Sequence, residues 1–279
     1  SRTTRFPGRN LFAPGAVFLF KIIYNTNMPE YIDIHSHTFF PDFKSDQNEI
    51  EKKALEQGVW FMNVGTDLNT SEKTLEIANK YQKGVYSCIG LHPTHSKDEI
   101  FNIEQYTKLA LDPKVKAIGE CGLDYFRMEK DSKDKQIDIF RKQIELSIQV
   151  NKPLMLHIRD AYEDALLVLK QYPKARGNVH FFAGNYEIAK QFIELGFTLS
   201  FTGVITFANS YDEVIKNIPL NMIMSETDCP FVSPIPYRGK RNEPVYVKEI
   251  VKRIAEIRNE DIDVVKRALV SNALRVFDF

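Results

Sequence analysis

The sequence predicts an α/β fold, a (β/α)8 TIM barrel with an extra C-terminal helix. From residue 31 onward, eight short β-rich segments alternate with eight helical segments, which is the repeat count of such a barrel. The first strand runs into His35-Ser-His37, where a doubly wound open sheet would usually have a glycine-rich turn. The length of 279 residues also suits one barrel of about 250 residues.

The predicted strands are short runs rich in β-branched and aromatic residues. They lie at Tyr31–His35, Val59–Val64, Val85–Ile89, Val115–Gly119, Leu154–Ile158, Val179–Phe182, Phe197–Phe201 and Met222–Ser225. The clearest helix is Lys135–Val150, whose apolar residues recur at spacings of three and four with charges opposite. The other predicted helices are Asp46–Gln57, Thr70–Gln82, Asp98–Leu111, Ala161–Gln171, Tyr186–Leu195, Tyr211–Lys216, Val245–Arg258 and the closing Ile262–Ala273.

Composition excludes several classes of protein. With 43% hydrophobic and 27% charged residues, the chain is neither disordered, collagen-like nor a disulfide-stapled miniprotein. Lysine plus arginine equals aspartate plus glutamate at 37 each, whereas a protein that coats nucleic acid is strongly basic. Three widely spaced cysteines do not suggest a disulfide framework. We therefore expect a reduced, cytoplasmic protein whose contact with any nucleic acid is local.

The sequence has no internal domain boundary beyond its N-terminal region. Residues 1–27 are interpreted as an N-terminal extension, non-native or encoded upstream of Met28, and residues 28–279 as one barrel domain. The alternative is a targeting segment, since scattered arginines precede an apolar run. That run, Ala16–Phe20, is broken by Lys21 and is far shorter than a membrane span. No association with a membrane is expected.

The histidines fall in a pattern. Of the six in the chain, most lie at or just past the C-terminal ends of predicted strands, where barrel enzymes assemble their sites. Glu120 and Asp228 take equivalent places after the fourth and eighth strands. A single such histidine is more often structural, but a convergent set with two acids indicates a functional site.

The first motif, Asp33-Ile-His35-Ser-His37, has a spacing that suits metal binding. Residues two apart in a strand point to the same face, so the two imidazoles can chelate one metal and Asp33 can orient an imidazole from behind. On this motif alone, two structural histidines remain equally acceptable. Cys121 and Cys229 each follow an acid, and adjacent strand residues face opposite ways, so both are interpreted as packing residues.

The two acids predict the catalytic chemistry. Glu120, between Gly119 and Gly122, is placed where it could bridge two cations, although a salt-bridged loop glutamate would also fit. Asp228, at the end of the last strand, can bind a metal and take a proton from bound water, although a turn aspartate would also fit. Imidazole and carboxylate ligands together suit Zn²⁺, Mn²⁺ or Mg²⁺.

The motifs occur in one order along the chain. They are Asp33-Ile-His35-Ser-His37, Gly90-Leu-His92-Pro93, Gly119-Glu120-Cys-Gly122-Leu-Asp124-Tyr125, Leu156-His157-Ile-Arg159, His180-Phe-Phe-Ala-Gly184, Glu226-Thr-Asp228-Cys-Pro230 and Pro236-Tyr-Arg-Gly-Lys-Arg-Asn-Glu-Pro244. Together they closely resemble the TatD family of metal-dependent deoxyribonucleases, among the amidohydrolase-like barrels. The resemblance runs from Tyr31 to the C-terminus. The residues before it match nothing in the family.

The resemblance implies two divalent metal ions per chain, Zn, Mn or Mg. It implies one metal held by His35, His37, Glu120 and Asp228. It implies a second held by Glu120, His157 and His180, with the glutamate shared. His92, Arg159 and Arg238 match positions expected to face the substrate. Phe181 stands where the family usually has a cysteine, which is not expected to be a ligand.

These features lead to an expected function. The chain is expected to be a metal-dependent deoxyribonuclease, an exonuclease on single-stranded or frayed DNA ends, acting as a monomer. Arg159, Arg238 and Lys240 could neutralise phosphate oxygens, and Tyr125 with Phe126 could stack a base or simply pack at the rim. One alternative is a hydrolase of a small amide, lactone or phosphoester on the same metals. Another is a barrel that only binds nucleic acid or a partner.

Overall fold

The fold is a parallel eight-stranded barrel, as the sequence predicts. The computed structural model describes residues 28–96, 99–127 and 132–279, and the expected extension at 1–27 lies outside these ranges. Eight strands pair in parallel in the order of the chain. They are β1 (Tyr31–Ser36), β2 (Val59–Val64), β3 (Val85–Ile89), β4 (Val115–Asp124), β5 (Leu154–Arg159), β6 (Gly177–Val179), β7 (Phe197–Phe201) and β8 (Ile223–Ser225).

Helices follow the strands in alternation. They are α1 (Gln47–Glu56), α2 (Leu68–Asn79), α3 (Ile103–Ala110), α4 (Lys133–Gln149), α5 (Tyr162–Leu169), α6 (Tyr186–Glu194), α7 (Asp212–Asn217), α8 (Val247–Arg258) and α9 (Ile262–Phe277). Helix α9 is the expected extra C-terminal helix. Helix α3 begins later than predicted, because the Asn102 side chain accepts from the backbone N–H of Gln105 and caps the N-terminus of the helix. The predicted first residue, Asp98, lies outside the described ranges. No helix in the described ranges combines the length and apolarity that crossing a membrane requires.

Two strands differ from their predicted bounds by more than one residue. Strand β4 does not stop at Gly119 but continues to Asp124, because its last residues pair with the end of β5. Strand β6 is not Val179–Phe182 but ends before His180. Phe181 has a positive φ of 43°, a left-handed conformation that cannot continue a strand.

Strand β1 is irregular where it carries its ligand residues. Ile32 and Ile34 share an apolar cluster with Met62 of β2, whose neighbour Phe61 packs against α1 and α2, so Ile32 and Ile34 face the barrel interior. Asp33 pairs with Phe61 and therefore faces the helices. The register with β2 shifts between Asp33 and Ser36, so His35 faces the interior although Asp33 does not. Both are fully buried.

The barrel closes between its first and last strands at the C-terminal end. The backbone N–H of Asp228 donates to the His35 carbonyl at 2.9 Å, and the N–H of His37 donates to the Cys229 carbonyl at 2.9 Å. The β1 residue Ser36 also forms a parallel bridge with Cys229. Ligand residues far apart in sequence are thereby brought together at one end of the barrel.

Candidate metal centre

A cavity opens at the C-terminal end of the barrel. Its volume is about 660 Å³, within the range of small-molecule sites, about 300–1,000 Å³. Polar residues on its wall come from β4, β5 and the segments after β1, β3, β6 and β8: His37, His92, Glu120, His157, His180 and Asp228. His35 lies behind them, fully buried. All six predicted metal ligands therefore lie at this one place.

Four of the predicted ligands form one group. His35 Nε2 lies 3.2 Å from His37 Nε2 and 3.5 Å from Glu120 Oε2. Asp228 Oδ1 lies 3.4 Å from His37 Nε2 and 3.8 Å from His35 Nε2. A tetrahedral site with metal–ligand distances of about 2.1 Å has ligand atoms about 3.4 Å apart. These four side chains, which we call group A, have the spacing to hold one divalent ion.

Three of the predicted ligands form a second group. Glu120 Oε1 lies 2.9 Å from His157 Nδ1 and 2.9 Å from His180 Nε2. The two imidazole nitrogens lie 3.3 Å apart. We call Glu120, His157 and His180 group B. Glu120 belongs to both groups, with one carboxylate oxygen turned to each, which is the arrangement a bridging ligand requires.

The protonation of His37 supports a cation in group A. Its Nδ1 lies 2.8 Å from the Val64 carbonyl, which can only accept, so Nδ1 carries the proton and Nε2 presents a lone pair. That lone pair faces His35 Nε2 and an Asp228 oxygen. A positive ion satisfies several acceptors that converge in this way. The donor set therefore fits a divalent metal on geometry and on hydrogen bonding.

The electrostatics of the site depend on close opposite charges. Burial opposes ionisation of Glu120, but His180, His92 and His35 outweigh it and hold the pKa of that carboxyl well below its usual value. Burial likewise opposes the charged form of His180, but Glu120 and Glu226 raise its pKa well above 6.5. The pKa of Asp228 is lowered by His37 and His35 against the effect of burial. Both carboxylates are thus ionised and able to ligate at neutral pH.

His92 is a neutral hydrogen-bond donor beside group B. Burial and the neighbouring His157 lower its pKa to about 4. Its Nδ1 accepts from the backbone N–H of Thr94 at 3.2 Å, so the proton lies on Nε2. That Nε2 is 3.5 Å from Glu120 Oε1 and borders the cavity. His92 can therefore donate a hydrogen bond to a bound substrate without adding charge.

Two acids that lie beside the histidines were not identified from the sequence. Asp124 Oδ2 lies 3.0 Å from His157 Nε2, and Glu226 lies behind His35 and His180. Asp33, expected to orient an imidazole, has other partners, since it accepts from the backbone N–H and hydroxyl of Thr227. Both missed acids stand in motifs with a predicted ligand, which is the one signal that could have found them.

The backbone at Asp228 is held in an unusual conformation. Its φ is 55°, in the left-handed region that few residues other than glycine adopt. The barrel closure holds it there through the hydrogen bond to His35, and the next N–H, of Cys229, donates to the Thr227 hydroxyl at 3.2 Å. Such strain, about 1–3 kcal/mol, clusters at functional sites. The turn directs the carboxylate into the cavity.

The predicted substrate residues fall into two sets. Arg159 borders the cavity, and its guanidinium lies 3.8 Å from the centre of the exposed Phe126 ring. Tyr125 is not among the residues that line the cavity, and its hydroxyl donates to Asp164 at 2.7 Å. Arg127 also borders the cavity and escapes the sequence interpretation, since nothing in its spacing distinguishes it from a surface arginine.

The other two predicted substrate residues lie on the loop after β8. Arg238 and Lys240 are exposed and are not among the residues that line the cavity. The Arg238 guanidinium lies 3.5 Å from the centre of the Phe207 ring. They are placed to meet only a substrate that extends beyond the cavity.

Comparisons with known proteins match most of the chain. A family model described as TatD related DNase matches residues 32–278. The uncharacterized metal-dependent hydrolase YabD of Bacillus subtilis is 38% identical over 88% of this chain and 98% of its own length. The uncharacterized metal-dependent hydrolase YcfH of Escherichia coli K12 is 30% identical over 88% of this chain and 95% of its own.

Solved structures match over the same region. The TatD homologue YJJV from Escherichia coli has a TM-score of 0.83 at 28% identity, covering 90% of this chain and 98% of its own. A TatD family hydrolase from Entamoeba histolytica shares the fold with a TM-score of 0.82 at 24% identity, covering 90% of this chain and 98% of its own.

Proposed function

The chain belongs to the TatD family of metal-dependent hydrolases, and from this we propose that it is a deoxyribonuclease that hydrolyses DNA phosphodiester bonds with two divalent ions. The observation that carries the proposal is Glu120, whose two oxygens face groups A and B separately. Two adjacent ions can clamp the attacking and leaving oxygens of an in-line phosphoryl displacement. The ligand set suits Zn²⁺, Mn²⁺ or Mg²⁺.

Each side chain at the cavity has a separate role in this proposal. His35, His37, Glu120, His157, His180 and Asp228 would hold the ions. When bound, divalent ions supply Lewis-acid stabilisation of phosphoryl oxygens and make water more acidic. Asp228 is ionised and borders the cavity, so it can accept the proton of the attacking water. His92 donates from Nε2, and Arg159 and Arg127 neutralise phosphate charge at the mouth.

The proposed mode is exonuclease action on single-stranded or frayed DNA ends. The cavity volume of about 660 Å³ suits a chain end better than an intact duplex. A net charge of zero suits binding of a few phosphates better than tracking of a long polyanion. Every proposed ligand comes from one chain, so a monomer would be sufficient for activity.

The first experiment is hydrolysis of end-labelled single-stranded DNA. The protein is stripped with EDTA and given back Mg²⁺, Mn²⁺ or Zn²⁺. We expect products that shorten from one end, only when metal is present. Asp228→Asn should lower the rate by about 10²–10⁴, as expected for loss of an acid–base group.

The matched control is Asp160→Asn. Asp160 also has a left-handed φ, of 54°, and follows β5 at the same end of the barrel, but it is exposed and does not border the cavity. It should keep full activity. If metal binds and no variant or wild-type protein cleaves DNA, the deoxyribonuclease proposal is wrong and a small-molecule hydrolase takes its place.

A further inference from the structure

A buried carboxylate outside both ligand groups lies directly behind them. Glu226 begins the Glu226-Thr-Asp228 motif and is fully buried. Its Oε1 accepts from the backbone N–H of Phe181 at 2.6 Å, and its Oε2 accepts from the Ser200 hydroxyl at 3.0 Å. The first donor lies in the segment after β6 and the second in β7. The carboxylate is therefore held in place from one side.

The other side of this carboxylate faces two imidazoles. His180 Nδ1 lies 3.5 Å from Oε1, and His35 Nδ1 lies 4.0 Å from Oε2. The two rings stack on each other, with centres 3.9 Å apart and planes 16° apart. Within the described ranges, these two Nδ1 atoms are the buried side-chain nitrogens or oxygens that lack a hydrogen-bond partner. Among the described residues, Glu226 is the acidic group that both Nδ1 atoms face.

The remaining two histidine ligands each have an acceptor of their own. His37 Nδ1 faces the Val64 carbonyl, and His157 Nε2 faces Asp124. An acceptor on the remote nitrogen fixes which nitrogen carries the proton and leaves the other free for the metal. By the same logic His35 and His180 need an acceptor, and the group in that position for both is Glu226.

We propose that Glu226 is a positioning residue that fixes His35 and His180 together as Nδ1–H tautomers, one ligand in group A and one in group B. Each Nε2 is then free to bind metal, and one buried charge serves both groups. This inference rests on the proposed function, because it takes both groups to be metal sites. It adds that their ligands are not independent of each other.

Glu226→Gln should affect the two groups unequally. The Phe181 N–H can only donate, so the single carbonyl oxygen of the glutamine stays beside it and beside His180. The amide NH₂ then faces Ser200 and His35. An amide donor against the Nδ1–H of His35 is repulsive, so His35 takes the other tautomer and its Nε2 no longer has a free lone pair.

The test is nitrogen NMR of the histidine side chains in the zinc-loaded protein. The chain has six histidines, few enough to assign by single substitutions. We expect protected Nδ1–H signals from both His35 and His180 in the wild type. In Glu226→Gln the His180 signal should remain and the His35 signal should be lost. A wild-type spectrum without either Nδ1–H overturns the inference, whether or not the variant folds.

Zinc affinity, measured by competition with a chelator, gives a second readout. The wild type should bind two Zn²⁺, and Glu226→Gln should bind one normally and one about 10–100-fold more weakly. Equal affinities in both proteins, or equal weakening of both ions, would contradict the proposal. If the wild type binds fewer than two Zn²⁺, the proposed function itself fails. If it binds two but the tautomers differ from those expected, only this inference fails.

Asp33→Asn is the matched control. Asp33 is also fully buried at this end of the barrel, and its carboxylate accepts from Thr227 and from the His35 backbone N–H. The change has the same chemistry as Glu226→Gln without touching an imidazole nitrogen. It should leave both Nδ1–H signals in place. Loss of the His35 signal in this control would attribute the effect to general disturbance and overturn the specific role of Glu226.

Discussion

The strength of a histidine as a metal ligand in this site depends on the acid beside its other ring nitrogen. His157 illustrates this, because one ring nitrogen faces Glu120 and the other faces Asp124 at 3.0 Å. Burial opposes ionisation of Asp124, but His157 and the Arg127 backbone N–H lower its pKa. A negative acceptor at that position makes the imidazole a stronger ligand.

Asp124→Asn should therefore weaken zinc binding by about 10-fold, because a neutral amide polarises His157 less. Chelator competition measures it. The control is Asp164→Asn, since Asp164 contacts Tyr125 and Lys133 and no imidazole. An equal fall in affinity in both variants would show that Asp124 has no specific effect.

The arginines at and beyond the cavity should differ in kinetics. Arg159 borders the cavity and Arg238 does not. Arg159→Ala should raise KM for a dinucleotide and for a long oligonucleotide, because both place a phosphate at the mouth. Arg238→Ala should raise KM for the long substrate only. Steady-state kinetics on the two substrates decides this, and an equal effect of Arg238→Ala on both would place that residue at the reacting phosphate.

At the scale of elements, the pairing of β4 with β5 positions Glu120 and His157. Gly119 precedes the glutamate with φ 157°, and a Cβ there would lie 2.3 Å from the Met155 carbonyl oxygen. Only glycine lets the two backbones approach so closely. The position of Glu120 thus depends on an absent side chain next to it.

Gly119→Ala should lower the free energy of unfolding and weaken zinc binding, because β4 must move away from β5. Gly196→Ala is the control. Gly196 has φ 84°, but an added Cβ would have no atom within 4 Å, so this substitution should cost only about 1–2 kcal/mol of backbone strain. Urea denaturation should show a further loss of about 1–3 kcal/mol for Gly119→Ala. Equal costs would mean that the contact with Met155 relaxes freely.

At the scale of the whole molecule, metal binding is coupled to protons. Burial opposes the cationic form of His180, but Glu120 and Glu226 outweigh it and raise the pKa well above 6.5. In the metal-free chain both ring nitrogens of His180 therefore carry a proton. A metal ligand must give up one of these protons. The metal-free state therefore binds more protons, and metal affinity rises with pH until the raised pKa of His180 is passed.

Zinc titration calorimetry in buffers of different ionisation enthalpy measures the protons released. We expect release at pH 7, and an affinity that still increases with pH above 6.5. Affinity that is flat between pH 6.5 and pH 8 would show that His180 is already neutral in the metal-free protein. His180→Asn should abolish this part of the pH dependence, at the cost of one ligand.

The sequence by itself determined the barrel and the identity of its six candidate ligands. Strand alternation and helical periodicity are local properties, so they can be recognised from neighbouring residues. The common direction of His35 and His37 followed from their two-residue spacing, and the position of Asp228 from its place after the last strand. The prediction that Glu120 follows the end of the fourth strand is wrong, because Glu120 lies within β4. The boundaries of β4 and β6 did not follow from the sequence, because pairing with β5 and the left-handed Phe181 set them.

Only the tertiary structure decided which groups stand behind the ligands. Asp124 reaches His157 through the register of β4 with β5, and Glu226 reaches His35 through closure of the barrel between its last and first strands. Asp33 and Thr227, joined by a hydrogen bond of 2.8 Å, are 194 residues apart in the chain. Local periodicity carries no information about register between strands so far apart. The positions of the acids behind the histidines are properties of the closed barrel, set by how its strands pair.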